Sequence, residues 1–298
     1  MVMTLLEASK LHSGDVVRSG VIEMFAQTSD ILRVLPFIDV AGGAYHYNLE
    51  GKLPGVAFRG INEAFAESTG IIAPQVEVLR ICGGDLDVDK AILDMHGEDV
   101  RTRHELMKIR ALSLYLGKKL IKGDSTNDVR EFDGLQNRIT GSQLVAAGGA
   151  LSLIKLDEVI DAVDFANYLI MSKAMARLIS AAARNTAVGG FVTYDKNEFG
   201  RRVMRYNDLP ILTVDHDDDG ARVLDFNEAA TTTSIYAVNF NDGYCVGLQN
   251  GVMQVRDRGE IDAKPVYRTR IDWNVGFATM HGRCAARLSG ITNAAVVA

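Results

Sequence analysis

The chain has 298 residues, 47% hydrophobic and 23% charged, which is enough for one large domain or two ordinary ones with a well-filled core. Its formal net charge of -6 argues against a free-standing, sequence-reading nucleic-acid binder, which is usually basic. Cys82, Cys245 and Cys284 are odd in number, far apart and outside any CxxC pair, so neither a disulfide framework nor a zinc site is expected.

The N-terminus lacks the charged-then-apolar pattern of a secretory signal, and no apolar run reaches the length of a membrane span. Synthesis and folding in the cytoplasm are expected. From Ser13 to Leu35, Val16, Val17, Val21, Met24, Phe25, Ile31, Leu32 and Leu35 form a helical apolar face that Pro36 ends. That face needs cover, from its own domain or from a neighbour. Residues 37–41 read as a strand, and residues 44–50 alternate as another. Gly51-Lys52-Leu53-Pro54-Gly55 is a turn cluster, answered by a short strand at Val56–Arg59. Residues 61–72 are polar and punctuated by glycine, and Val76–Ile81 alternates again. The whole stretch carries little apolar mass, and a lone hairpin is marginal in water, so this segment needs a partner.

Asp85 to Lys122 reads as one long helix. Asp87 or Asp89 can cap it, acids crowd its first half, bases its second, and Gly123 stops it. Asp89 to Lys122 would span roughly 50 Å. A polar connector with Phe132-Asp-Gly-Leu follows, then a small-residue loop at Gly148-Gly149. Residues 154–169 are an amphipathic helix starting near Ala150 or Ser152, Leu169–Ser172 a buried strand, and Lys173–Asn185 an Ala-rich helix. Strands are expected at 189–194 and 206–215, with a short helix at 197–204 between them. Further short strands follow at 222–224, 234–240, 245–248, 253–255, 266–273, 275–279 and 284–288. Helices and strands mix without a βαβ rhythm, which predicts an α+β fold.

Candidate chemical sites are sparse. His96 and His104 would lie about 12 Å apart along a helix, too far to share a metal. Asp99 with Arg103 and Arg101 with Glu105 have ion-pair spacing on a helix face that also carries Glu98 and Lys108. Asp215, Asp217, Asp219 and Gly220 match the opening of a calcium loop, but its twelfth position is Phe226 instead of Glu. A turn is the better reading there, and the three aspartates are weak metal candidates. No GxGxxG, GxxxxGK[ST] or GxSxG occurs, and the cysteines read as small buried hydrophobes. Nothing converges on a catalytic site, and no cofactor is expected.

The order of elements is informative: apolar arm, coreless hairpin, strand, long helix, connector, mixed α+β remainder. Ile121-Lys-Gly-Asp through Phe132-Asp-Gly-Leu, Asp208-Leu-Pro-Ile, and Ile235-Tyr-Ala-Val-Asn-Phe followed by Gly243-Tyr-Cys-Val-Gly-Leu resemble motifs of the major capsid proteins of tailed bacteriophages, with the Hong Kong 97-type fold. That resemblance implies an N-terminal arm (1–38), an extended loop hairpin (39–76) and a peripheral domain (77–145) with its spine helix at 89–122. An axial domain (146–235) and a return through both domains (236–298) complete the chain. It implies a non-enzymatic shell protein of the virion, assembling with itself as hexamers and pentamers around packaged double-stranded DNA. A separate scaffolding protein, a portal and a decoration protein are further implied partners. Tyr45, Tyr47, Lys52, Leu53, Phe58 and Arg59 of the loop, with Arg101, Arg103 and Lys108 of the spine, would be inter-subunit contacts. Lys52 reads as a solvated tip residue in preference to a cross-link donor to Asn274 or Asn293. An encapsulin-like nanocompartment shell enclosing enzyme cargo is the alternative, and an enzyme or soluble binding module the third reading.

Overall fold

In a computed structural model, residues 2–5, 7, 24, 28–97, 99–184, 191–197, 200–229, 231–261 and 264–297 are described. Most of the expected helix at 13–35 lies outside these residues; its end appears as a short helix, Asp30–Val34 (α1), capped by Ser29.

Two sheets organise the chain. The first contains Val2–Thr4 (β1), Pro36–Asp39 (β2), Arg80–Asp89 (β5), Cys245–Gln249 (β12), Gln254–Ile261 (β13) and Lys264–Thr279 (β14). The 16-residue β14 is its spine: residues 275–279 pair with β12, residues 264–272 with β13, and residues 266–275 with β5, all antiparallel. Expected separately as 266–273 and 275–279, these residues form one continuous strand. The second sheet runs Leu144–Gly149 (β6), Ala285–Thr292 (β15), Thr232–Val238 (β11), Tyr168–Ser172 (β7), Leu209–Val214 (β10), Arg202–Tyr206 (β9) and Val192–Lys196 (β8). It is mixed, with β7 parallel to β10 and β6 parallel to β15. The chain leaves this sheet after β11, builds β12 to β14 in the first, and returns as β15. A third, two-stranded sheet pairs Ala44–Lys52 (β3) with Ile71–Val78 (β4).

The expected rod is three elements. Residues 80–89 are a strand, Lys90–His96 a short helix (α2) and Asp99–Lys122 the long helix (α3). The acids read as a helix start lie on the outward face of β5, where Asp85 and Asp87 pair with Arg270 and Arg268 of β14. Asp89 does cap a helix, accepting from the Ala91 amide at 2.8 Å, but that helix stops at Gly97, whose φ of +84° ends the turn. At 24 residues α3 is about 36 Å long. Its buried positions begin at Ile109, so only the second half covers the core.

Other expectations also change. Val56–Arg59 is not a strand; β3 pairs instead with residues 71–78. The helix expected at 197–204 gives way to β9, where Val203 and Tyr206 align with Asp195 and Val192 of β8. The Gly148-Gly149 loop is the end of β6. The amphipathic helix is shorter, Leu153–Asp161 (α5), after Leu135–Arg138 (α4), and Lys173–Ala182 is α6. Arg222–Leu224 forms only an isolated bridge at Arg222.

The main core joins Ile109, Leu112, Leu116, Leu120 and Ile121 of α3 to Phe37, Trp273 and Phe277 of the first sheet and to Ile170 and Tyr236 of the second. A second core lies on the other face of the second sheet, under Leu156, Val159, Met175 and Ile179. Where α3 ends, two backbones touch. The Gly134 amide donates to the Gly123 carbonyl at 2.9 Å, and Asn137 Nδ2 donates to the same oxygen at 3.1 Å. A Cβ on Gly123 would stand 2.3 Å from the Phe132 carbonyl oxygen, and one on Gly134 would stand 2.7 Å from that of Ile121. Asp124 and Asp133 close the intervening turn by accepting from the Thr126 and Ser125 amides. Phe132 and Leu135 are buried beside it. The motif around Gly123 and Phe132-Asp-Gly-Leu is therefore a steric lock on the helix end. Gly134→Ala should destabilise the fold by about 3 kcal/mol through forced backbone displacement, measured as a lowered denaturation midpoint. Gly282→Ala, at a site with open space for a Cβ, should change it little.

Candidate assembly surface

The outer part of the hairpin of β3 and β4 presents apolar side chains to solvent. Leu53, Val56, Phe58, Ile61 and Phe65, between the strands, are 73%, 97%, 106%, 95% and 64% exposed. Ile71, Ile72, Val76 and Val78 on β4 are exposed as well. An apolar group of this extent on one excursion marks an interaction surface. Within the tip, Arg59 donates to the Glu63 carbonyl at 3.1 Å and lies over the Phe65 ring.

The base of the hairpin is fixed. Tyr45 and Tyr47 stack at 6.0 Å and pack with Leu79 and Met280 against Val40, Val246, Leu248 and Ala278. The Leu79 amide donates to the Gly43 carbonyl, and Asn250 Nδ2 to the Gly42 carbonyl. Arg138 is the central tie. Its guanidinium donates to Glu77 Oε2 on β4 at 2.8 Å and to the Phe277 carbonyl of β14 at 3.0 Å. Its Nε donates to the Asp133 carbonyl at 2.8 Å. Tyr47 Oη donates to Glu77 Oε1, and burial with that carboxylate pushes the phenol up.

The residues singled out from sequence divide into groups. Leu53, Phe58 and Arg59 are at the exposed tip, and Lys52 ends β3 opposite Ile71. Tyr45 and Tyr47 hold the base. Arg101 is committed within the chain, to Asp257 at 2.7 Å and Glu105 at 3.3 Å, and it lies over Tyr267. Arg103 is exposed, and the Lys108 chain lies over Gly84 of β5. Glu98 lies outside the described residues. Sequence reading missed Glu77 and Arg138, a pair 61 positions apart with no local signature. It also missed Val56, Ile61 and Phe65, whose signal was present: large apolar residues in a polar, glycine-punctuated segment that cannot bury them.

Of the weak calcium candidates, Asp217 and Asp219 come together with Asp218, and Asp215 stands apart. Asp215 accepts from Lys173 at 2.7 Å. Buried Asp217 accepts from Lys118 of α3 at 2.7 Å and from the Asp219 and Ala221 amides. Asp217, Asp218 and Asp219 form the compact acidic group, and the Lys118 ammonium already supplies it with a cation. The loop is a clasp between α3 and the turn after β10. Cys245 and Cys284 are buried, and burial pushes the half-buried Cys82 thiol up to about 12, so the cysteines behave as apolar fillers. His96 and His104 are exposed.

The sequence matches the family described as major capsid protein GP7 over residues 13–162, half of the chain. The chain belongs to this family. Solved structures share its fold at low identity. The holo-SrpI encapsulin complex from Synechococcus elongatus PCC 7942 superposes with a TM-score of 0.68 at 18% identity, covering 90% of this chain and 89% of that one. The capsid of a native GTA particle gives 0.64 at 14%, covering 89% and 91%, and Mycobacterium phage Bobi gives 0.63 at 10%, covering 90% of each. No curated protein matches. The expected α+β, Hong Kong 97-type fold is therefore present, and the chain is a major capsid protein, a shell component of the virion. In this capsid protein no helix of the described residues is long and apolar enough to cross a membrane.

Arg138→Met should destabilise the capsid protein by roughly 2 kcal/mol, a partly buried pair losing one partner. Combining it with Glu77→Gln in a double-mutant cycle should show positive coupling in denaturant unfolding. Acid should act through the paired aspartates. Lys118 holds the Asp217 carboxyl low, Arg270 that of Asp85, and Arg268 that of Asp87. Their folded values lie below the unfolded one, so their stabilisation is complete above about pH 5 and is lost as pH falls below about 4. Thermal unfolding measured across that range should fall with acidification, and Asp217→Asn should lower stability at neutral pH while flattening the acid slope.

Proposed function

We propose that this capsid protein builds the icosahedral head of a tailed phage as hexamers and pentamers around double-stranded DNA, each subunit laying its β3–β4 hairpin on the next. The observation that carries this is the solvent-exposed apolar tip. Burying Leu53, Val56, Phe58, Ile61 and Phe65 at about 2 kcal/mol each offers roughly 10 kcal/mol per subunit before ordering costs, and among the described residues no surface of the same subunit takes them. Head-to-tail contacts of this kind close into rings. In this reading residues 1–38 are the arm, 39–76 the extended loop and 77–145 the peripheral domain, with α3 as its spine. Residues 146–235 are the axial domain, and the rest returns through both. Lys52, Leu53, Phe58 and Arg59 meet a neighbour, Arg103 and Lys108 offer it a basic face, and Arg101, Tyr45 and Tyr47 hold those surfaces in place. A scaffolding protein, a portal and a decoration protein belong to the same reading, as does a shell without enzymatic activity. An encapsulin-like compartment is the second reading, since an encapsulin shares the fold.

Replacing residues 53–70 with a two-residue Asn-Gly turn keeps β3 and β4 paired and removes only the tip. The variant should fold with near-native stability and fail to form stable particles in negative-stain images. Shells of normal stability from that variant would sink the role given to the tip. Nucleic-acid content of wild-type particles separates a phage head from a compartment loaded with protein.

A further inference from the structure

Four elements bring basic side chains to one open cleft of about 590 Å³: Arg110 from α3, Lys173 from α6, Arg201 and Arg202 at the start of β9, and His216 beyond β10. An adjoining cleft of about 480 Å³ shares Arg110, Arg201 and Thr28 and is otherwise apolar, so the cations lie along the rim common to both openings. The chain as a whole carries -6, which makes this local concentration of cations unusual.

Among the described residues two carboxylates line the cleft, and both are engaged. Asp215 accepts from Lys173 and lies 3.1 Å from His216 Nδ1. Asp30 pairs with Arg33 at 3.6 Å and accepts from the Thr213 hydroxyl at 3.1 Å. Arg110 and Arg202 make no ion pair among the described residues, and the Arg202 guanidinium lies 3.6 Å over the Tyr194 ring, which orients its donors without neutralising it. Two guanidinium groups beside spent carboxylates, one of them fixed over an aromatic ring, form a receptor for an anion of fork-like geometry. Four Lys and Arg side chains line the cleft against carboxylates that are already engaged, and this excess of positive charge favours an anionic occupant. We propose that this groove seats the phosphodiester backbone of the enclosed DNA duplex, with Arg110 and Arg202 as its gripping groups. The proposal rests on the DNA-filled head proposed above. Contact there is with phosphate and independent of base sequence.

The test is fluorescence anisotropy of a short labelled duplex with the purified, unassembled protein across a sodium chloride series. Arg110→Glu/Arg202→Glu should weaken binding tenfold or more and reduce the slope of log K against log salt by about 1.8, two phosphate contacts. Lys155→Glu/Lys264→Glu makes the same change in net charge at residues that line neither cleft and should leave slope and affinity near wild type. Equal losses in both double variants, or none in either, would overturn the assignment. So would a glutamate oligomer that displaces the duplex at equal charge concentration, which would mark the groove as a site for an acidic protein segment. Two sequences of equal length should bind alike; a strong preference between them would also contradict phosphate-only contact. Because binding is read before assembly, absence of shells in negative-stain images of every sample counts against the shell reading alone.

Discussion

The contact between the Gly123 and Gly134 backbones is the constraint on which the other parts depend. It closes the chain onto the end of α3 at a spacing that no side chain permits. That closure sets where α4 begins, and α4 carries Arg138. From there one guanidinium reaches the hairpin through Glu77 and β14 through the Phe277 carbonyl. The position of an excursion 60 residues earlier is thus fixed by two hydrogens where side chains would otherwise be. The lock is steric, so salt and pH leave it alone; the aspartate pairs respond to both.

The molecule separates burial into two kinds. Its own cores are complete: α3, Phe37, Trp273 and Phe277 form one, and Met175, Ile179, Leu156 and Val159 cover the other side of the second sheet. Its hairpin has ordered backbone but exposed side chains. Strand pairing from Ala44 to Lys52 satisfies the hydrogen bonds, while the apolar groups wait for another chain. The charged face of α3 divides in the same way. Arg101 is spent on Asp257 and Glu105, whereas Arg103 points outward.

Much of this was legible in the residues. The coreless excursion, β2, the extended β3, α6 and most strands of the last third follow from alternation and helical spacing. The start of the long helix moved because charge outweighs period in that stretch. Asp85-Leu86-Asp87-Val88-Asp89 alternates strictly, yet its aspartates suggested a helix start. In the fold Asp85 and Asp87 face Arg270 and Arg268, some 180 positions away in the chain, which no window of sequence displays. The same holds for Lys118 with Asp217, a pairing that turns an apparent calcium loop into a clasp. The hairpin partner was misplaced because Val56–Arg59 has strand-like composition, while the true partner, Ile71–Val78, contains a proline that an exposed edge tolerates.

Strand β14 has a mechanical meaning. Ten consecutive residues of it pair with β5, which begins two residues after the hairpin ends. A neighbour that pulls on the hairpin therefore pulls β5 along its own axis. Tension applied that way loads the whole ladder of hydrogen bonds in shear, all at once, where a pull across the strands would unzip them in sequence. The opposite side of β14 carries β12 and β13, so the strain passes into the rest of the sheet. A shell under internal pressure would thus be held in each subunit by a tie-rod laid along the direction of load.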